Sequence, residues 1–171
     1  FLLTCRRDAE SIAEQHARCK TTTIQLVDHV ELRELKKLRE YLPGVELVQV
    51  IHVGGEEALD EASAVEAHVD ALLLDSGNPN LAVKELGGTG RTHNWQLSRR
   101  ICEQTNRPVF LAGGLNHGNV SEAIATVRPY GLDLCSGVRT QGRLDKTRLA
   151  IFMAAVRQSA ALSNREAPGS V

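Results

Sequence analysis

The chain has 171 residues, 42% of them hydrophobic and 24% charged, a composition that supports one compact domain with a sizeable core. Its 20 Lys and Arg against 21 Asp and Glu leave a formal net charge of -1, which removes the electrostatic case for nucleic acid or a polybasic membrane surface. No apolar run approaches the roughly 18 residues that a membrane-spanning helix needs.

A strand is expected at once over residues 1–4, in Phe1-Leu2-Leu3-Thr4, followed by a helix over 9–19 and a strand over 22–27. In the next helix Val30, Leu35, Leu38 and Leu42 share a stripe, while Glu31, Arg33, Lys36, Lys37 and Arg39 face water. Pro43-Gly44 ends it. A strand over 47–53 and a helix over 56–66 lead to a strand over 71–75, where Leu72-Leu73-Leu74 suits burial on both faces. Asn94 opens a helix over 95–104, with Trp95 as its core anchor, before a strand over 108–112. Asn119 is placed as the N-cap of a helix over 120–127, which leads to a strand over 132–136. Asp145 caps a last helix over 146–161, whose stripe Leu149, Phe152, Met153 and Val156 is read as core. The domain is taken as residues 1–162, and the small, polar residues 163–171 as a disordered tail.

Strand and helix alternating about every two dozen residues means consecutive right-handed βαβ units, in a doubly wound open sheet or a (β/α)8 TIM-type barrel. An open sheet concentrates its polar residues at one switch point. Here nearly every strand ends in polar or glycine residues: Asp28, His52, Asp75, Gly113-Gly114 and Ser136-Gly137. That distribution favours the barrel, whose active site lies on the loops at the strands' C-terminal ends. Six strands are countable where a closed barrel has eight, so unpaired edges are expected on the first and last.

Two turns carry the strongest chemistry. Gly113-Gly114 follows one buried strand directly, and Ser136-Gly137 follows the next; backbone amides exposed by such glycines hold a phosphate. Glycines serving only tight turns are the plainer alternative. Asp75 ends an apolar strand at the barrel mouth, where a partly desolvated carboxyl can act as a general acid. The competing reading has Asp75 accepting loop N–H groups without meeting substrate. The long loop that follows carries Gly87-Gly88-Thr89-Gly90-Arg91-Thr92, as a cover over a site would.

Gln25-Leu26-Val27-Asp28, Leu73-Leu74-Asp75-Ser76, Gly87-Gly88-Thr89-Gly90, Asn94-Trp95, Leu111-Ala112-Gly113-Gly114-Leu115 with Asn119-Val120, and Gly131 through Val138 stand in one order at sensible spacing. Together they make the sequence resemble the phosphoribosylanthranilate isomerase family of tryptophan biosynthesis over about residues 1–158. The resemblance implies an isomerase with no metal or organic cofactor, acting by Amadori rearrangement of a phosphorylated sugar-amine. It implies Asp75 as general acid on the furanose ring oxygen. It places phosphate or substrate at Gly88, Gly90, Gly113, Gly114, Asp133, Ser136 and Gly137, with Gln25, Asp28 and His52 facing the substrate. A cytoplasmic monomer or homodimer is expected. Cys5, Cys19, Cys102 and Cys135 lack any C-x-x-C pairing, which fits a reducing compartment, and no secretory signal is read at Phe1.

In this register residues 1–4 are the family's third strand, so the family's cysteine base and the arginine for the anthranilate carboxylate fall outside the chain. The 171 residues alone are therefore expected to be inactive. A preceding segment, a second chain, or a distorted open sheet would answer the missing strands. Cys5 is read as a small structural residue. Val27-Asp28 stands where the family has His-Gly, Arg139 where it has Glu, and Cys135 where it has Ser, so a paralogue with another substrate stays open. So does a non-catalytic phosphate-binding barrel. A metal-dependent sugar-phosphate epimerase with Asp28, His52 and Asp75 as ligands is the third alternative, with His29 nearby and His16, His68, His93 and His117 read as surface residues.

Overall fold

The computed structural model describes residues 1–77 and 92–166. Six parallel strands form one sheet: β1 Leu2–Thr4, β2 Thr23–Leu26, β3 Glu46–His52, β4 Ala71–Asp75, β5 Val109–Leu111 and β6 Gly131–Leu132. Their spatial order is their chain order. Helices alternate with them: α1 Ala9–Cys19, α2 Leu32–Tyr41, α3 Glu57–Val65, α4 Trp95–Gln104, α5 Val120–Val127 and α6 Lys146–Glu166. Because each strand pairs with its successor, the order never reverses and there is no switch point. Right-handed crossovers then place successive helices on one face, where α1 packs on α2 and α3 through α6 pack in sequence. This single-sided winding is that of a barrel wall, and it sets aside the doubly wound alternative.

Strand periodicity divides the core in two. Ile24, Leu26, Leu47, Ile51, Leu72, Leu74, Val109 and Leu111 face the helices, where Ile12, Leu35, Leu38, Ile101 and Phe152 are fully buried against them. The opposite face carries Val48, Val50, Ala71, Leu73, Ala112 and the partly buried Phe110. All five residues of β4 are buried, as its unbroken apolar run demands. Gly131 lies so close to Phe110 that a Cβ there would sit 2.7 Å from the ring.

Local chemistry sets the helix ends. Asp8 caps α1 by accepting from the Ser11 amide at 2.9 Å, and Asn94 caps α4 by accepting from the Gln96 amide at 3.0 Å. Asp145 accepts from the Thr147 and Arg148 amides at the start of α6. Gly44, at φ +83°, turns the chain after α2.

Several expectations need correction. The last strand is not 132–136: β6 stops at Leu132, and Ser136–Val138 form a turn of 3-10 helix. A hairpin of β7 Arg139–Thr140 and β8 Arg143–Leu144 follows, its turn at Gln141 (φ 50°) and Gly142 (φ 75°) matching the left-handed geometry of a two-residue hairpin loop. Asn119 makes no cap bond to α5. Met153 is 40% exposed, off the core stripe that holds Phe152. The backbone of α6 runs through Glu166, into residues assigned to the tail, and 167–171 lie outside the described residues. Among the described residues no helix is long and apolar enough to cross a membrane.

Candidate functional site

The exits of β3 through β6 gather the polar residues on one edge of the sheet. His52, the last residue of β3, is the register partner of Asp75, the last of β4. Alternation puts both on the face opposite the helices, on neighbouring strands about 4.8 Å apart. Asp75 is 8% exposed, and its Oδ1 accepts from the Ser76 amide at 2.7 Å and from the Ser76 hydroxyl at 3.5 Å. The carboxyl is thus aimed by the first residue of the loop it precedes.

Ser76 also explains Gly113. With φ +83°, Gly113 lies where a Cβ would come 2.9 Å from both the Ser76 nitrogen and Oγ, so the exits of β4 and β5 touch only because that position is glycine. Gly114 is also left-handed, at φ 62°. Its carbonyl accepts from Asn119 Nδ2 at 3.0 Å and Asn116 Nδ2 at 3.2 Å, while Asn119 Oδ1 accepts from the Asn116 amide at 2.8 Å. Asn119 holds the N-cap position of α5, but its side chain braces the glycine turn instead of capping the helix. Gly137 presses on the same loop: a Cβ there would overlap the Leu115 carbonyl oxygen. The two glycine turns are therefore stacked on one another.

Between them and Asp75 lies a cavity of about 50 Å³, bounded by Asp75, Gly113, Gly114, Asp133, Cys135 and Ser136. Asp133 as a residue is exposed, with its carboxyl partly enclosed at the mouth of this cavity. Burial of the carboxyl, and then the charge of Asp75, raise its pKa. Two carboxyl groups beside glycine-exposed amides make a place where a proton can be given to, or shared with, an oxygen-rich anionic ligand.

A larger cavity of about 920 Å³ opens on the β2 and β3 side, lined by Asp28, His52, Ser76 and Gly77 with Glu57 and Glu61 on its rim. Side chains of β3 hold the β2 exit that forms its wall. Gln49, fully buried, donates through Nε2 to the Leu26 and Asp28 carbonyls at 3.2 and 3.0 Å, and His52 Nε2 donates to the Val27 carbonyl at 3.1 Å. Three successive carbonyls are thus gripped by one strand. Asp28, 6% exposed, accepts from the His29 amide at 2.9 Å. Gln25, half-buried, lies across from Val48.

His93 is no surface residue. It is half-buried, its Nε2 lies 2.6 Å from the Ser98 hydroxyl, and burial lowers its pKa to about 4 against the opposing pull of Asp75. Neither it nor Gln49 announces itself in the sequence, since only the folded chain brings them to the strand ends. Trp95 packs half-buried against the core as expected. Gly88 and Gly90, assigned to substrate from the sequence, lie outside the described residues. Among the described residues no three His, Cys, Asp or Glu side chains converge as metal ligands. Asp28, His52 and Asp75, the ligand set of the epimerase alternative, are not brought together as such among the described residues.

The family model of N-(5'phosphoribosyl)anthranilate (PRA) isomerase matches residues 5–155. The chain belongs to that family. It is 40% identical over 132 residues to N-(5'-phosphoribosyl)anthranilate isomerase of Methanocella arvoryzae, covering 77% of this chain and 60% of the relative. The phosphoribosyl anthranilate isomerase of Thermotoga maritima superposes with a TM-score of 0.73 at 25% identity, over 91% of this chain and 71% of that one. A structure of phosphoribosyl anthranilate isomerase in complex with reduced 1-(o-carboxyphenylamino)-1-deoxyribulose 5-phosphate shares the fold, with a TM-score of 0.70 at 22% identity over 91% of this chain and 70% of that one. The chain spans 60%, 67% and 65% of the length of three curated PRA isomerases that it matches.

Proposed function

We propose that the chain forms the phosphate-binding and proton-donating part of a PRA isomerase, the last six βα units of its barrel. The observation that carries this reading is the enclosure of Asp75 between the β3 exit and the two stacked glycine turns. Membership of the family supports the reaction, and the order of the matching motifs along the chain supports the register in which β1 is the family's third strand.

In the reaction, amides of the Gly113-Gly114 and Ser136-Gly137 turns hold the phosphate of N-(5'-phosphoribosyl)anthranilate. The Asp75 carboxyl gives its proton to the furanose ring oxygen as the bond from that oxygen to the anomeric carbon breaks, and the nitrogen lone pair forms the iminium. A base then removes the proton from the neighbouring carbon, and the resulting enolamine becomes the 1-amino-ketose. By the family resemblance that base is a cysteine on a strand outside these residues, so the 171 residues alone do not complete the cycle. Asp133, Gln25 and Asp28 face the sugar and arylamine end, and Gly88 and Gly90 are assigned to substrate by the same resemblance.

The test is Asp75→Asn in the intact protein. Turnover of N-(5'-phosphoribosyl)anthranilate should fall at least ~10²-fold, the scale of a positioned general acid, while affinity for inorganic phosphate is kept. Unchanged turnover removes Asp75 from the role. Phosphate binding without turnover in the unsubstituted intact protein would favour a phosphate-binding relative instead.

A further inference from the structure

Asp75 and Asp133 stand in one row across the sheet with a single alanine between them. Leu74, Leu111 and Leu132 are register partners on β4, β5 and β6. The ladder runs one step further, because the Ala112 amide donates to the Leu74 carbonyl at 2.7 Å and the Asp133 amide to the Leu111 carbonyl at 2.9 Å. The three leucines pack toward the helices, so alternation turns Asp75, Ala112 and Asp133 to the opposite face. Ala112 carries only a methyl group, and the carboxyl groups on either side of it line the same cavity of about 50 Å³.

The two differ in access. Asp75 is 8% exposed and its Oδ1 is held by the Ser76 amide, whereas Asp133 is exposed at the mouth of the cavity. A buried carboxyl that has given its proton away must be recharged before it can act again. The titratable neighbours are His52 beside Asp75 in the register, His93 ahead of α4 with its Nε2 2.6 Å from the Ser98 hydroxyl, and Cys135 on the cavity wall. The β5 exit adds none, being Ala112, Gly113 and Gly114. Two carboxyl groups that share so small a space repel as a pair of anions, and such a pair keeps one proton over a range in which each alone would ionise. Burial and the charge of Asp75 raise the pKa of Asp133, which is the sense such sharing requires.

We propose that Asp75 and Asp133 hold a single proton as a pair, and that Asp133 recharges Asp75 from solvent after each proton donation. Asp75 gives the proton to the furanose ring oxygen, which leaves both groups as carboxylates. Asp133 then takes a proton from bulk water at the mouth and passes it inward to Asp75, directly or through a water admitted to the cavity. The base returns to solvent the proton that it took from carbon, so the cycle neither gains nor loses one. The assignment rests on the isomerase reading of the site and deepens it: Asp133 acts through Asp75, as the route between the buried acid and water.

Infrared spectroscopy of the intact protein reads the shared proton without any assay of turnover. At about pH 6, where a lone carboxyl is ionised, the carbonyl stretch of one protonated carboxyl should be present. It should vanish in Asp75→Asn and in Asp133→Asn alike, and persist in Asp133→Glu. A stretch that survives either asparagine substitution overturns the shared proton. Kinetics supply the second arm. In the unsubstituted enzyme kcat should fall above the pH at which the pair loses its last proton. Asp133→Asn should move that alkaline limb down by about one pH unit or more, the scale on which a neighbouring charge shifts a carboxyl, and Asp133→Glu should restore part of the shift. A higher KM in Asp133→Asn with the limb of kcat unmoved would mean that Asp133 only grips the sugar; that result sinks the proposal and leaves the isomerase reading standing. Absence of turnover in the unsubstituted intact protein overturns both.

Discussion

Gly137 leaves no room for a side chain, because the carbonyl oxygen of Leu115 occupies the place its Cβ would take. One contact thus locks the β6 exit onto the β5 exit. Gly137→Ala should separate the two glycine turns, cost at least about 1 kcal/mol of stability, and weaken binding of inorganic phosphate at least 10-fold. Urea unfolding and a phosphate titration measure both. Full phosphate affinity in a folded Gly137→Ala protein would show that the stacking does not shape the anion site.

Burial lowers the His93 pKa to about 4, below the ordinary value of 6.5. Between those values the unfolded chain binds a proton that the native chain does not, so native stability is present above about 6.5 and is lost as pH falls toward 4. At the roughly 1.4 kcal/mol of each pKa unit, the loss approaches about 3 kcal/mol. His93→Phe should flatten the slope of unfolding free energy against pH over that interval. An unaltered slope in the variant would assign the acid sensitivity to other groups.

Asp133 behaves in the opposite sense. Burial and the charge of Asp75 raise its pKa, so the native state holds the proton more tightly than the unfolded state. Its stabilising contribution is complete below the ordinary carboxylate range and disappears as pH rises through the raised value. Asp133→Asn should therefore gain stability relative to the unsubstituted chain as the pH climbs from acid to neutral. Thermal melts across that range decide the matter, and a gap that narrows toward neutral pH contradicts it.

The thiols should divide three to one. Cys5, Cys19 and Cys135 are exposed, whereas Cys102 on α4 is partly buried and burial pushes its thiol up to about 11. At pH 8 a water-soluble thiol reagent should label the first three and spare Cys102 until the chain is unfolded. Mass mapping that finds Cys102 among the fast sites would mean that α4 opens readily in the native protein.

The parts of this architecture written in strong local signals were legible in advance. The residues of α1, α4, α5 and β4 follow from apolar periodicity bounded by caps, glycine or proline, and the glycine turns after β5 and β6 stand out as they should. The misreadings share a cause. Leu132 through Ser136 alternates like a strand, yet β6 pairs with β5 at only two residues, and the chain leaves the sheet for the turn that meets Leu115. Asn119 sits where a cap belongs, but the Gly114 carbonyl and the Asn116 amide take its side chain. His93 looks like a polar loop residue until Ser98 and the field of Asp75 are seen around it. In each case a partner distant in sequence, or lying in an adjacent turn, outweighs the local preference. The Gln141-Gly142 turn was the one missed signal that could have been read directly, as a short hairpin loop ending in glycine.

Strands laid down in the order in which they occur along the chain have a mechanical consequence. Every rung of the ladder joins near neighbours in sequence, and β3 and β4 have two further strands on either side. In the 171 residues taken alone, fraying can then advance inward from β1 and from β6 without disturbing the middle. Amide deuteration should accordingly be slowest at Val50 and Leu73 and quicken toward both margins, so the proton donor at the end of β4 stands on the most persistent part of the wall.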